Sequence, residues 1–188
     1  MTKKNYYNDI IRLGLPILVG QLGMIVTAFA DNIMVGRYST EALASASFVN
    51  GVFNVVIFCC LGFTYGLTPL VGAMFGQKRM HDIGALMRNG LYLNMTYSMA
   101  LTAALGLLYF HLHRLGQPYE LLPLIRPYYL TALAGIVPVC VFNVFAQWCY
   151  GTTDSSTPMW IILGGNLLNI VGNYALIFGH MGAPELGL

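Results

Sequence analysis

The sequence predicts an all-α protein, a polytopic membrane bundle of five spanning helices. Two observations carry this. Of 188 residues, 57% are hydrophobic and only 9% charged, with a mean hydropathy of +0.66. Soluble domains carry about 25% charged residues, so this chain has too few to cover a water-facing surface. The apolar residues are also gathered into five runs, each as long as the roughly 20 residues that an α-helix needs to cross a bilayer.

The first run, 13–36, follows Lys3, Lys4 and Arg12. Those bases resemble the head of a secretion signal, but the run is too long for one and has no small-residue cleavage site. The second, 42–75, is the longest. Gly62, Gly66 and Pro69 mark a bend in one long helix more readily than a division into two short ones. Such residues are tolerated because neighbouring helices close the gaps in hydrogen bonding. The third run is 83–110, the fourth 122–150 and the fifth 158–178.

Basic residues in the connections set the orientation. Lys3, Lys4 and Arg12, with Lys78, Arg79 and Arg88 of the second connection, place six bases on one side. Arg37, Arg114 and Arg126 place three on the other. The positive-inside rule then puts the N-terminus in the cytoplasm, so runs one, three and five go outward. Tyr109, Tyr119, Tyr128 and Tyr129 fit an aromatic belt at the outer interface.

Net charge is +2, from nine bases and seven acids, which excludes a strongly basic nucleic-acid surface. Cys59, Cys60, Cys140 and Cys149 have neither zinc nor haem spacing and read as small buried apolar residues. His81, His111, His113 and His180 fall in or beside connections, and none is assigned as a ligand. The ten methionines read as core and lipid-facing side chains. No nucleophile–base pattern, Gly-rich phosphate loop or HExxH appears, so no enzymatic activity is expected.

One acid interrupts the first run. Asp31 lies in "MIVTAFADNIMVGRYSTEAL", where a carboxylate costs on the order of 2.5–3.5 kcal/mol at mid-bilayer and less near a helix end. In the fifth run Asn166, Asn169 and Asn173 are three and four residues apart and share a helical face. Gly165 and Gly172 flank that face and would admit a neighbouring helix. Asp31 is five residues before Gly36 and Asn173 five before Phe178, so the two sit at similar depth. Thr27 is one turn below Asp31, and Gln21 is lower again near the same face. A carboxylate with amide oxygens at one depth can hold a proton or a small cation. Two plainer readings stand beside this one: amides as interhelical hydrogen-bonding glue, and an end-of-helix acid reaching the interface. Asn50 with Asn54, and Asn143 with Gln147, share faces that would line a cavity or pack helices.

Several stretches, in order, resemble one family: "RLGLPILVGQL", "ADNIMVGRYSTEALASAS", "GLTPLVGAMFGQKR", "YGTTDSSTPM" and "NLLNIVGNYALIFGHMGAPELG". Together they are similar to the N-terminal lobe of multidrug and toxic compound extrusion (MATE) transporters. The resemblance covers nearly the whole chain, and the second and last blocks are its most specific parts. It implies a fold of twelve helices in two six-helix lobes around a cavity. It also implies exchange of organic, often cationic, drugs against Na⁺ or H⁺, without a cofactor, in the bacterial inner membrane.

By that resemblance Asp31 is the first-helix acid of a cation or proton site, and Asn169 its fifth-helix asparagine. Asn173 stands where some branches carry a second acid, which leaves the choice of coupling ion open. A Na⁺ at Asp31 is the one metal ion this reading admits. Pro16 matches a first-helix proline linked to bending, a hinge. Gln21, Thr27, Asn50, Asn54 and Asn143 are candidates to line the cavity. Five runs leave the lobe's sixth helix and the whole second lobe absent, so residues 1–188 are expected to be an incomplete lobe, inactive alone. The expected partners are a small-molecule drug, the lipid bilayer and the missing lobe, with no nucleic acid. Rival readings are a lipid-linked oligosaccharide flippase of the same superfamily, for which Arg88 is the main basic candidate, and a non-transporting membrane scaffold.

Overall fold

A computed structural model describes residues 3–179, with side chains from residue 7 onward. His180 and the rest of the Gly/Pro-containing tail lie outside the described residues, as do the side chains of Lys3 and Lys4. Six α-helices account for the fold: α1 (Lys3–Tyr38), α2 (Thr40–Tyr65), α3 (Leu67–Gly76), α4 (Met80–Tyr109), α5 (Leu122–Gly151) and α6 (Ser156–Phe178). There is no strand among the described residues. Among the described residues five stretches are long and apolar enough to cross a membrane: Tyr7–Tyr38, Thr40–Gly76, Met80–Tyr109, Tyr119–Gly151 and Ser156–Phe178. The all-α polytopic architecture is therefore present.

Local chemistry sets the helix ends. Ser39 caps α2, its Oγ accepting from the backbone N–H groups of Glu41 and Ala42, and Glu41 places a negative charge in the first turn where the helix dipole favours it. α2 gives way to α3 at Gly66. The reason is Pro69, which has no N–H for the Tyr65 carbonyl four residues earlier and whose ring crowds that oxygen. The two helices still make one span of 37 residues, so the bend expected there is a one-residue interruption at Gly66 within a single apolar stretch. α6 ends at Gly179, whose φ of 65° forms a left-handed cap with its N–H donating to the Ala175 carbonyl. α1 begins well before its apolar run because "KKNYYNDIIR" contains no breaker. Its 36 residues extend about 54 Å, longer than the roughly 30 Å hydrocarbon core.

The chain divides into two compact units, one built from α1 and α6 and one spanning Ser39–Gly151. In the first, α1 and α6 run parallel. Gly20 lies beside Met159 and Ile162, Gly23 beside Leu163 and Asn166, and Asp31 beside Asn173, so the pairs ascend together. The glycines expected to admit a neighbour, Gly165 and Gly172, have nothing among the described residues within 4 Å of where a Cβ would stand; Gly20 and Gly23 make the close approach instead.

In the second unit, Val49, Phe53, Leu105, Ile125, Tyr129 and Ile136 form the centre of the core. Tyr129 is 0% exposed. Its hydroxyl donates to the Leu105 carbonyl at 2.8 Å, and its ring meets Phe53 edge-on at 4.8 Å. This corrects the assignment of Tyr129 to an interfacial belt: a tyrosine with its hydroxyl satisfied is a core residue. Tyr119 is exposed, and the Tyr128 hydroxyl donates to Asn50 Oδ1 at 3.0 Å. α3 lies tightly on α5, with Thr68 Oγ1 donating to Gln147 Oε1 and Gly151 against Val71. Of the cysteines, Cys60 and Cys140 are buried, Cys149 is half-buried and Cys59 is exposed, so burial does not hold for all four.

Candidate functional site

Three side chains converge in the first unit. Asp31, on α1 and half-buried, accepts from Asn173 Nδ2 through Oδ1 at 2.9 Å. The same nitrogen donates to Asn169 Oδ1 at 3.2 Å. The Asn169 amide also lies 3.1 Å from Asp31 Oδ1 and 3.2 Å from Oδ2, and with its nitrogen turned to the carboxylate it donates to both. Helical spacing produces this: four residues separate Asn169 from Asn173, which stacks them on one face of α6, and the parallel α1 brings Asp31 to their level.

The triad has an internal conflict. With Asn169 Oδ1 toward Asp31, the bond from Asn173 is made, but an acceptor faces both carboxylate oxygens. With Asn169 Nδ2 toward Asp31, the carboxylate gains donors, but that nitrogen sits 3.2 Å from the Asn173 nitrogen, donor against donor. A proton on Asp31, or a small cation between its oxygens and Asn169 Oδ1, removes the conflict. In that orientation the carboxylate and the Asn169 amide oxygen are oxygen donors of the kind a hard cation takes. Among the described residues no group of three or more His, Cys, Asp or Glu side chains gathers as a metal centre.

The other candidates fall elsewhere. Thr27 is 8% exposed, and its hydroxyl donates to the Gly23 carbonyl at 3.0 Å, one turn down its own helix. Gln21 is exposed on α1. Asn166, the third amide of the row, packs toward Gly23, and its buried Nδ2 has no partner among the described residues. Pro16 is accommodated inside α1 without breaking it. Asn50, Asn54 and Asn143 belong to the second unit: Asn50 is engaged by Tyr128, Asn54 is exposed, and Asn143 Nδ2 donates to Val139 O at 2.9 Å within α5.

Sequence reasoning missed a groove of about 330 Å³ beside the triad, lined by Ile33, Met34, Arg37, Tyr174 and Phe178. Its aromatic wall was signalled only by the four-residue spacing of Tyr174 and Phe178, whose ring centroids are 5.7 Å apart. In the sequence Arg37 carries weight through its charge alone.

Probable multidrug resistance protein NorM of Synechococcus is 27% identical over 95% of this chain and 38% of its own length. The protein of the same name from Photorhabdus laumondii is 31% identical over 92% of this chain and 38% of its own, and that from Oceanobacillus iheyensis 28% over 99% and 42%. The chain thus spans about two fifths of the length of these relatives. A MOP superfamily transporter from Pyrococcus furiosus superposes with a TM-score of 0.85 at 23% identity, over 95% of this chain and 39% of its own. A MATE protein in a bent conformation gives 0.81 at 23%, over 93% and 39%. The fold is shared with both. The MatE family model matches residues 16–175, and the chain belongs to that family.

Proposed function

We propose that this chain is the N-terminal lobe portion of a secondary multidrug efflux transporter, and that Asp31, Asn169 and Asn173 hold the ion that drives it. The observation that supports this is the triad, in which two amides of α6 reach one carboxylate of α1 and Asn169 can present either its nitrogen or its oxygen to it. The names of the relatives support the multidrug reading. In the proposed cycle Asn169 turns its oxygen to Asp31 when the acid is protonated or holds Na⁺, and its nitrogen when the ion has left. Pro16, with no N–H for the Arg12 carbonyl, is the hinge through which α1 changes its bend. Drug in the cavity and ion at Asp31 then compete. The N-terminus lies in the cytoplasm and the protein in the inner membrane.

The experiment places Asp31→Asn in a full-length transporter that contains this chain, reconstituted in vesicles with a fluorescent organic cation. Imposed proton and Na⁺ gradients are tested separately. The expected result is loss of gradient-driven efflux with insertion unchanged, and the gradient that drives the wild type identifies the ion. Wild-type efflux from the variant overturns the reading.

A further inference from the structure

The groove at the C-terminal ends of α1 and α6 has two unlike characters. α1 contributes Ile33, Met34 and Arg37 to it, and α6 contributes Tyr174 and Phe178, whose ring centroids are 5.7 Å apart with the planes at 56°. Four of these five side chains are apolar or aromatic, and the fifth is a guanidinium. Arg37 is exposed and makes no ion pair among the described residues, where the pairs are those of Arg79 and His81 with Asp82. No carboxylate of the described residues lines the groove. Asp31, the acid of α1 next to it in sequence, stands about 9 Å lower along the helix and is engaged by Asn173.

Depth selects the chemistry. Arg37 is the last residue but one of the span Tyr7–Tyr38, and Phe178 closes the span Ser156–Phe178. Because α1 and α6 are parallel, the groove between these ends comes to one membrane interface, where a long basic side chain reaches the headgroup level. An organic cation would meet the Arg37 charge there with no acid to hold it. A water-soluble anion gains nothing from the apolar floor and aromatic wall. A phospholipid uses both: a guanidinium holds a phosphate through two parallel N–H donors, and the rings cover the glycerol and the first acyl carbons. A volume of about 330 Å³ is at the lower end for a small-ligand site, so it takes a headgroup with its glycerol while the acyl chains run on into the bilayer. A headgroup ammonium would lie near Arg37 without a carboxylate, which favours a headgroup that lacks one. We propose that this groove binds an anionic phospholipid, its phosphate on Arg37 and its glycerol along Met34, Tyr174 and Phe178. The proposal depends neither on the ion at Asp31 nor on which end of the chain is cytoplasmic.

The test uses a full-length transporter that contains this chain, in phosphatidylcholine nanodiscs doped with a phosphatidylglycerol that carries a photoactivatable diazirine on its headgroup. After illumination and proteolysis, crosslinks are expected within residues 33–37 and 174–178. Excess unlabelled phosphatidylglycerol should abolish them, and the same excess of phosphatidylethanolamine or of inorganic phosphate should not. Arg37→Gln should lower their yield about tenfold or more, as befits loss of a charge-assisted hydrogen bond. Arg114→Gln removes an exposed base outside the groove and should leave the yield unchanged. If Arg37→Gln does not insert, the crosslink map and competition of the wild type decide alone. An equal loss in Arg114→Gln shows attraction to surface charge only, competition by inorganic phosphate shows a free-anion site, and competition by phosphatidylethanolamine shows no choice of headgroup. The absence of groove crosslinks shows that another part of the transporter fills it. Each of these outcomes overturns the proposal.

Discussion

An aspartate among apolar neighbours needs donors where water is lacking, and magnitudes show how few suffice at Asp31. Insertion of the acid costs on the order of 2.5–3.5 kcal/mol at the bilayer centre, and a hydrogen bond to a charged group contributes about 1.5–3 kcal/mol. The two amides of Asn169 and Asn173 are thus of the size needed to offset the charge. Asp154, before α6, is a simpler case. Its Oδ1 accepts from the Thr157 N–H at 3.1 Å, and hydrogen bonds from the Thr157 side chain and backbone hold its pKa below the ordinary 3.8. A lowered pKa means that the contribution is fully present above about pH 4 and is lost as pH falls through the lowered folded value. Exposure keeps it small, about 1 kcal/mol as for a helix N-cap. Asp154→Ala should therefore speed amide hydrogen exchange at Thr157 severalfold at pH 7, with the difference shrinking as pH falls through the lowered folded value. Equal protection in variant and wild type at pH 7 would refute the cap.

At the level of helices, glycine contacts separate positions that the sequence leaves alike. A Cβ on Gly151 would stand 2.6 Å from Val71 Cβ, 2.7 Å from Val71 Cγ1 and 3.0 Å from the Thr68 carbonyl. These are a stiff β-branched stem and backbone, so α3 has to move off α5. Gly151→Ala should destabilise by about 1–3 kcal/mol, the usual range for overpacking, and Gly172→Ala, which meets open space within the described residues, should not. Detergent unfolding of the two variants side by side checks the order. The same comparison shows what could be read in advance. Hydropathy marks where helices cross, and a proline marks where one breaks, because each acts on its own segment. A small residue says that a helix can come close but not on which side, so Gly165 and Gly172 were singled out while Gly20 and Gly23 hold α1 to α6. Tyr129 was assigned to an interface because a tyrosine suits a wet boundary and a core equally until its hydroxyl finds the Leu105 carbonyl. Asp31 and Asn173 were brought to one level by counting from the ends of their helices, which works because α1 and α6 are parallel. The divided use of the asparagine row was not legible, since Asn166 differs from its neighbours only in meeting Gly23.

For the molecule as a whole, the proposed orientation rests on charge asymmetry. Six bases against three leave a bias of three, and half of the larger set sits in one short segment, Lys78, Arg79 and Arg88. Lys78 adopts a φ of 59° between α3 and α4, and Arg79 Nε is 2.6 Å from Asp82 Oδ2 in an exposed pair. An exposed pair of this kind contributes little to stability, so replacing these bases leaves the fold intact while acting on topology, where Lys and Arg near the membrane count and acids contribute little. Replacing Lys78, Arg79 and Arg88 by Gln brings the two sides to three and three. A cysteine introduced at Gln117, between α4 and α5, reports the outcome through a membrane-impermeant maleimide on intact cells. In the otherwise unchanged chain it should label fully, because the proposal puts that connection outside; in the triple variant labelling should fall to about half as the two orientations equalise. A Gln117 site protected in the parent chain would reverse the orientation, and unchanged labelling in the triple variant would show that the charges of this segment do not set it.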